Sequence, residues 1–267
     1  MQVSLPPEPA RRTPAGVAVP AAVGFIFLLL PIAALIIRAP LRRAGPALLT
    51  ADVLRALRLS IVTASVTTVL AVLLGVPLAY VLARSQFRGR SVVRAVVLVP
   101  LVLPPVVGGV ALLLALGRRG VAGGPLFRLF GLSLPFTSTA VVVAQLFVAM
   151  PFLVVTVEGA LRGLDSRYDD AAATLGASRW FTFVHVTLPM LAPGVAAGAA
   201  LCWARALGEF GATITFAGNY PGTTQTVPIK VYLALETDPD AAVALSLLLL
   251  LVSVLILAGL RDNWLRR

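Results

Sequence analysis

Six stretches of this sequence run for the length of a bilayer with almost no charge. They are Val17–Ile37, Leu59–Ala83, Ala95–Leu116, Phe136–Val157, Val186 to about Phe216, and Ala241–Leu260. A helix rises about 1.5 Å per residue, so about 20 apolar residues cross the roughly 30 Å hydrocarbon core of a membrane. Six such blocks in 267 residues leave little chain for anything else. A water-soluble fold is excluded by composition: 59% of the residues are apolar, 12% are charged and the mean hydropathy is +0.96. Soluble domains are about 45–50% apolar and about 25% charged, and this chain has too little polar surface to cover such a core. The expected fold is an all-α integral membrane protein with six transmembrane helices.

The first block begins late and lacks a small-residue cleavage site, so it reads as a span and not as a cleaved signal. Residues 1–16, MQVSLPPEPARRTPAG, are rich in proline and read as a disordered tail. Six crossings put both termini on one side. Outside the spans, twelve Lys and Arg residues fall on that side and nine on the other, with Arg205 inside a block completing the 22. Cytoplasmic segments carry the excess of positive charge, so the termini are expected in the cytoplasm of a multi-pass protein of the cell membrane. The five arginines of the first loop (Arg38, Arg42, Arg43, Arg55 and Arg58) pull the other way.

The net charge of +11 does not indicate nucleic acid, because the arginines cluster at the ends of apolar blocks, where they anchor helices among headgroups. Cys202 is the only cysteine and His185 the only histidine. An internal disulfide, a multi-cysteine metal site and a catalytic triad are therefore all absent, and the carboxylates form no pair that would mark an enzyme. The chain is expected to bind no cofactor of its own. Prolines interrupt several blocks, above all in LVPLVLPPVVGG (98–109), which cannot form a straight helix.

Between the fourth and fifth blocks lies a polar segment, DDAAATLGASRWFTFVHVTLP (169–189). Asp165 or Ser166 is suited to cap a short helix, and Asp169 and Asp170 complement its positive end. Ala171, Ala172 and Ala173 propagate it. Gly176 stops it or lets another backbone approach closely. Trp180, Phe181 and Phe183 mark re-entry at the membrane interface, and Leu188-Pro189 the start of the fifth span. A short helix of small residues beneath the bilayer can enter a groove on a cytoplasmic partner, or can be an ordinary interfacial loop.

Asp170-Ala171-Ala172, three residues, Gly176, nine residues and then Val186-Thr187-Leu188-Pro189 resemble the permease signature of ABC importers, Glu-Ala-Ala-x3-Gly-x9-Ile-x-Leu-Pro. Every spacing fits; Asp170 replaces the glutamate and Val186 the isoleucine. The resemblance implies a type I ABC importer permease fold over roughly residues 53–261. Residues 17–52 would add a first transmembrane helix and an extracytoplasmic loop, and 262–267 a cytoplasmic tail. It further implies a coupling helix at about 165–178, in which Asp170, Ala171, Ala172, Gly176, Val186, Leu188 and Pro189 contact an ATP-hydrolysing subunit. No Gly-x4-Gly-Lys-Ser/Thr loop occurs and Lys230 is the only lysine, so ATP is expected to be used by a separate partner. Two permease copies, cytoplasmic ABC ATPase subunits and an extracytoplasmic binding protein are the implied assembly.

The stretch GEFGATITFAGN (208–219), followed by PGTTQT (221–226), resembles the molybdate permeases of the ABC importers; sulfate/thiosulfate permeases share the Gly-Glu-aromatic-Gly part (208–211) and differ after it. Molybdate is the implied substrate, with tungstate close in size and charge. Arg205 and Glu209, four apart on one helix face, either brace the bundle or line an oxyanion path together with Phe210, Thr213 and Thr215. An ion-gradient-driven transporter would need ionisable residues at midplane in repeated halves, and no clear repeat is seen. A membrane enzyme would need a cluster of His, Asp or Glu near one interface.

Overall fold

A computed structural model describes residues 14–40, 50–165 and 167–262. The tail expected at residues 1–16 falls almost wholly outside these residues, as does the proposed cap Ser166. Every regular element is helical, and no strand occurs among the described residues.

Among the described residues, twelve helices follow in order: α1 (Ala15–Ile37), α2 (Ala51–Arg84), α3 (Arg90–Val102), α4 (Pro105–Leu116), α5 (Gly123–Phe130) and α6 (Ser138–Gly163), then α7 (Arg167–Thr174), α8 (Arg179–Thr182), α9 (Leu188–Leu207), α10 (Gly211–Phe216), α11 (Val227–Thr237) and α12 (Pro239–Asp262). A π turn, Phe183–Thr187, joins α8 to α9 without a break. Five helical runs among the described residues are long and apolar enough to cross a membrane: α1, α2, α6, the α8–α9 run Arg179–Leu207, and α12.

The expected third span is therefore corrected. It is two helices, α3 and α4, and α4 alone is about 18 Å long at 1.5 Å per residue. The break has a local cause. A residue that precedes proline is driven out of the helical region. Leu103 precedes Pro104 and sits at φ −66°, ψ 133°; Pro104 precedes Pro105 and sits at φ −54°, ψ 133°. Two extended residues in succession end one helix, and Pro105 at the first turn of α4 starts the next. Single prolines at 20, 31, 77, 100, 151 and 193 stay inside helices that continue past them.

The fifth block is corrected at both ends. Its helix begins at Arg179, seven residues before Val186, and ends at Leu207. Gly208, Glu209 and Phe210 form a corner, and Gly211–Phe216 is a separate short helix.

The core lies where α2, α6 and α9 meet. Ala64, Ala71 and Ala79 from α2 pack with Leu153, Val157 and Leu161 from α6 and Leu191, Cys202 and Leu207 from α9. Small residues let the backbones approach, which is how membrane helices gain packing without a hydrophobic drive between them. A Cβ on Gly198 would stand 3.3 Å from the Leu153 backbone. A second cluster joins α4, α6 and α10 through Leu112, Ala144 and Phe216. Polar side chains cross-link the helices: Thr67 donates to the Gln145 Oε1 at 3.1 Å, Trp203 Nε1 donates to Ser65 Oγ at 3.2 Å, and the Val227 amide donates to Ser60 Oγ at 2.8 Å. By contrast, α1 packs against α12 and leaves all of its large apolar side chains but Leu35 43–81% exposed. Such a surface is stable in lipid and not in water.

Candidate functional site

The polar segment after α6 builds a small platform. The Asp165 carboxylate accepts a hydrogen bond from the Arg167 amide at 3.0 Å and so opens α7. Asp169 and Asp170 fall in its first turn, where the helix dipole favours negative charge. The far end closes with a paired lock: the Gly176 amide donates to Ala173 O and the Ala177 amide to Ala172 O, each at 3.0 Å. That arrangement satisfies two terminal carbonyls and demands a left-handed residue, here Gly176 at φ +77°. Gly176 thus acts as the stop; apart from its chain neighbours, no atom of the chain lies within 4 Å of where its Cβ would be.

One face of the platform is open. Tyr168, Ala171, Ala172, Gly176, Phe181 and Val186 line a concavity of about 540 Å³. Ala172 alone of the α7 side chains is buried, and Leu175 is 88% exposed. Four residues of the expected coupling set, Ala171, Ala172, Gly176 and Val186, are thus brought together. Asp170 is exposed and faces a second concavity, of about 760 Å³, with Arg84, Asp169 and Trp180. Leu188 and Pro189 open α9 and line neither. The aromatic residues form a stack beside the platform: Phe183 meets Tyr80 edge-on at 4.8 Å and Trp180 at 5.8 Å, and Phe181 stacks on His185 at 4.2 Å.

Behind the platform is an ion cluster. Glu158, buried near the end of α6, pairs with Arg94 of α3 and, at 2.8 Å, with Arg162 one turn on. Arg94 and Arg90 also donate to Leu82 O and Ala83 O, among the last carbonyls of α2, both at 3.4 Å. The Arg84 guanidinium donates to Leu164 O at 3.4 Å and lies 3.6 Å from Asp169. Helix ends and opposite charges are matched here, so that α2, α3, α6 and α7 are tied at one level. Glu158 is the residue that sequence reasoning missed. A carboxylate directly after an apolar block and four residues before Arg162 was a signal; Arg94, 64 residues away, was not visible.

The residues weighed as a path occupy the α9–α10 corner. Arg205 Nη1 is 2.6 Å from Glu209 Oε2, and Glu209 is only 1% exposed. Its other oxygen accepts the Ala212 amide at 2.9 Å and so starts α10. The Phe210 ring lies 4.8 Å from that of Tyr232. Thr215 turns its hydroxyl back to Gly211 O at 2.8 Å. Thr213 is fully buried, its hydroxyl without a partner among the described residues. The packing under this corner is close: a Cβ on Gly109 of α4 would stand 2.6 Å from Thr215 Cβ, and one on Gly211 2.8 Å from Pro105 Cβ.

A chain of packed membrane helices with an exposed small-residue platform matches a described family. Residues 71–267 match the family described as binding-protein-dependent transport system inner membrane component. The chain belongs to this family.

Within the binding-protein-dependent transport family, the chain is 50% identical over 253 residues to the molybdenum transport system permease protein of Mycobacterium tuberculosis, covering 95% of this chain and 96% of that one. It is 38% identical over 213 residues to the protein of the same name from Escherichia coli, covering 80% and 93%. Among solved structures, a bacterial ABC transporter involved in the import of the acidic polysaccharide alginate aligns with a TM-score of 0.75 at 16% identity, over 94% of each chain. An inward-facing methionine ABC transporter aligns with a TM-score of 0.59 at 19% identity, over 80% of this chain and 93% of that one. At these identities the likeness speaks for the fold, a type I importer permease. The chain is a multi-pass membrane component of a transport system, and not an enzyme.

Proposed function

We propose that the chain is the permease subunit of an ATP-driven importer that carries molybdate, or its near-twin tungstate, across the cytoplasmic membrane. The observation that carries this reading is the identity of 50% with a molybdenum transport permease over nearly the full length of both chains. The 204–232 segment adds to it, since GEFGATITFAGN and PGTTQT lie within that span.

In this reading, α3 and α4 together make one broken crossing, so that both termini lie in the cytoplasm. The permease unit occupies about 53–261. Two copies form the path. Two ATPase subunits take α7 and the 540 Å³ concavity beside it into a cleft, touching Asp170, Ala171, Ala172, Gly176 and Val186, with Leu188 and Pro189 setting the start of α9 behind them. ATP binding closes the ATPase pair, draws the two α7 helices together and opens the path outward; hydrolysis resets it. A binding protein outside the membrane delivers the oxyanion and carries most of the selectivity. Arg205 and Glu209 neutralise each other at the α9–α10 corner and brace it, which suits a path that must release its ion quickly. Phe210, Thr213 and Thr215 lie at the same corner.

The test is uptake of labelled molybdate by cells that lack the gene, with and without its restoration, against excess tungstate or sulfate. Uptake that returns with the gene and is blocked by tungstate but not by sulfate supports the proposal. Competition by sulfate moves the substrate to sulfate/thiosulfate. No gene-dependent oxyanion uptake, with partner subunits present, refutes it.

A further inference from the structure

We infer that Asp169 is the positioning residue that carries movement of α7 into the fifth span, with Thr187 and Arg84 as its receivers. The inference rests on the reading of α7 as the element that docks the ATPase.

Any force applied to α7 must leave it through its contacts. Only Ala172 of its side chains is buried. Among the described residues, the side-chain polar contacts that leave α7 and its opening residue Asp165 come from Asp169 alone. Its Oδ1 accepts from Thr187 Oγ1 at 3.2 Å, and its Oδ2 lies 3.6 Å from Arg84 Nη2. The bonds from Arg167 to Asp165 and from Thr174 to Ala171 O stay within the segment. Asp170, the motif carboxylate, makes none and is exposed. Adjacent carboxylates thus have different duties: Asp170 points outward, and Asp169 holds the platform to the bundle.

The receiving end is the soft point of the fifth span. Thr187 is the last residue of the π turn, where the Leu188 amide bonds five residues back, to Phe183 O. Pro189 follows at once; it has no N–H, and its ring crowds the carbonyl four residues back, so the widened turn absorbs the misfit. A ladder already out of register can shift by one residue more easily than an unbroken α-helix. The Thr187 hydroxyl has one proton and two acceptors in reach, Asp169 Oδ1 at 3.2 Å and Thr182 O at 3.4 Å. Displacement of α7 that withdraws Asp169 leaves that proton to Thr182 O, at the residue that leads into the turn. Arg84, the last residue of α2, gives Asp169 a second anchor. The 760 Å³ concavity between α2, α7 and α8 leaves room for α7 to move on these anchors.

The test uses the complete transporter, permease with ATPase and binding-protein partners, reconstituted in vesicles. Asp169→Ala should co-purify with the ATPase subunit as the unaltered chain does and keep its KM for ATP. Its molybdate uptake, and the ATP hydrolysis stimulated by loaded binding protein, should fall about tenfold, as expected when a coupling contact is cut. Thr187→Val should act in the same direction and Thr187→Ser should restore function, because serine keeps the donor. Exchange of the charges, Arg84→Asp with Asp169→Arg, should recover part of what either change loses. Normal transport by Asp169→Ala and Thr187→Val, or a Thr187→Ser chain as impaired as Thr187→Val, would overturn the inference; the threonine pair serves also if Asp169→Ala does not fold. Failure of the docking reading looks different: Gly176→Glu would then hold the ATPase subunit as tightly as the unaltered chain, and the inference would fall with it.

Discussion

Replacement of Gly176 separates docking from folding, because the two costs have different origins. At φ +77° any L side chain meets its own backbone, which costs about 1–2 kcal/mol. That cost is set by the Cβ and is nearly the same for alanine and glutamate. Beyond it there is no further penalty within the chain, since no atom other than those of its chain neighbours lies within 4 Å of the Cβ position. The strain falls on an exposed eight-residue helix outside both core clusters, so it frays α7 and leaves the bundle intact. Against a typical stability of about 5–15 kcal/mol, neither Gly176→Ala nor Gly176→Glu should reduce the amount of folded protein in the membrane. The two variants should therefore melt alike in detergent. They should differ in function: the alanine leaves the 540 Å³ concavity almost as it was, whereas the glutamate fills part of it with a charged group. Expected results are substantial uptake and ATPase retention for Gly176→Ala, and loss of both for Gly176→Glu. Membrane content by immunoblot, co-purification of the ATPase subunit and labelled molybdate uptake provide the three readings. Wild-type uptake by Gly176→Glu refutes the docking assignment. Equal loss in both variants refutes the separation, and assigns the effect to the backbone alone.

Arg205→Leu should leave Glu209 buried without its cation and lower stability by about 3–5 kcal/mol, seen as loss of the monodisperse peak on size exclusion. Arg205→Lys should recover part of that loss but without the guanidinium fork. Gly109→Val forces side-chain carbons into the 2.6 Å approach to Thr215 and should push α4 from α10. The cost is about 1–3 kcal/mol, measurable as a lower melting temperature, and Thr215→Gly in the same chain, which removes that Cβ, should relieve part of it.

Much of the architecture was legible because the bilayer acts on local sequence. A spanning segment must satisfy its own backbone and be about 20 residues long, so apolar runs announce helices one at a time. The pre-proline rule is equally local, and it made the break in LVPLVLPP readable, though not its consequence: that two helices replace one long span. The platform after α6 was legible for the same reason. Its acidic start, alanines and stop glycine all act within one short helix, and Gly176 stands where the sequence placed the stop.

The tertiary structure decided what depends on which faces meet. Nothing in the sequence pairs Glu158 with Arg94, or sets Thr215 under Gly109; those contacts join residues 64 and 106 positions apart, and no periodic pattern connects them. The sequence marked Asp170 by its motif, but the fold ties Asp169 to Thr187 and Arg84. It marked Leu188-Pro189 as the start of a span, but the helix begins at Arg179 and passes through a π turn, because interfacial aromatics pack on α2 before the apolar run begins. Local sequence determined where the chain is helical and where it must break. Packing between helices determined which charges are paired, since a charge beneath a bilayer finds its partner in space and not along the chain.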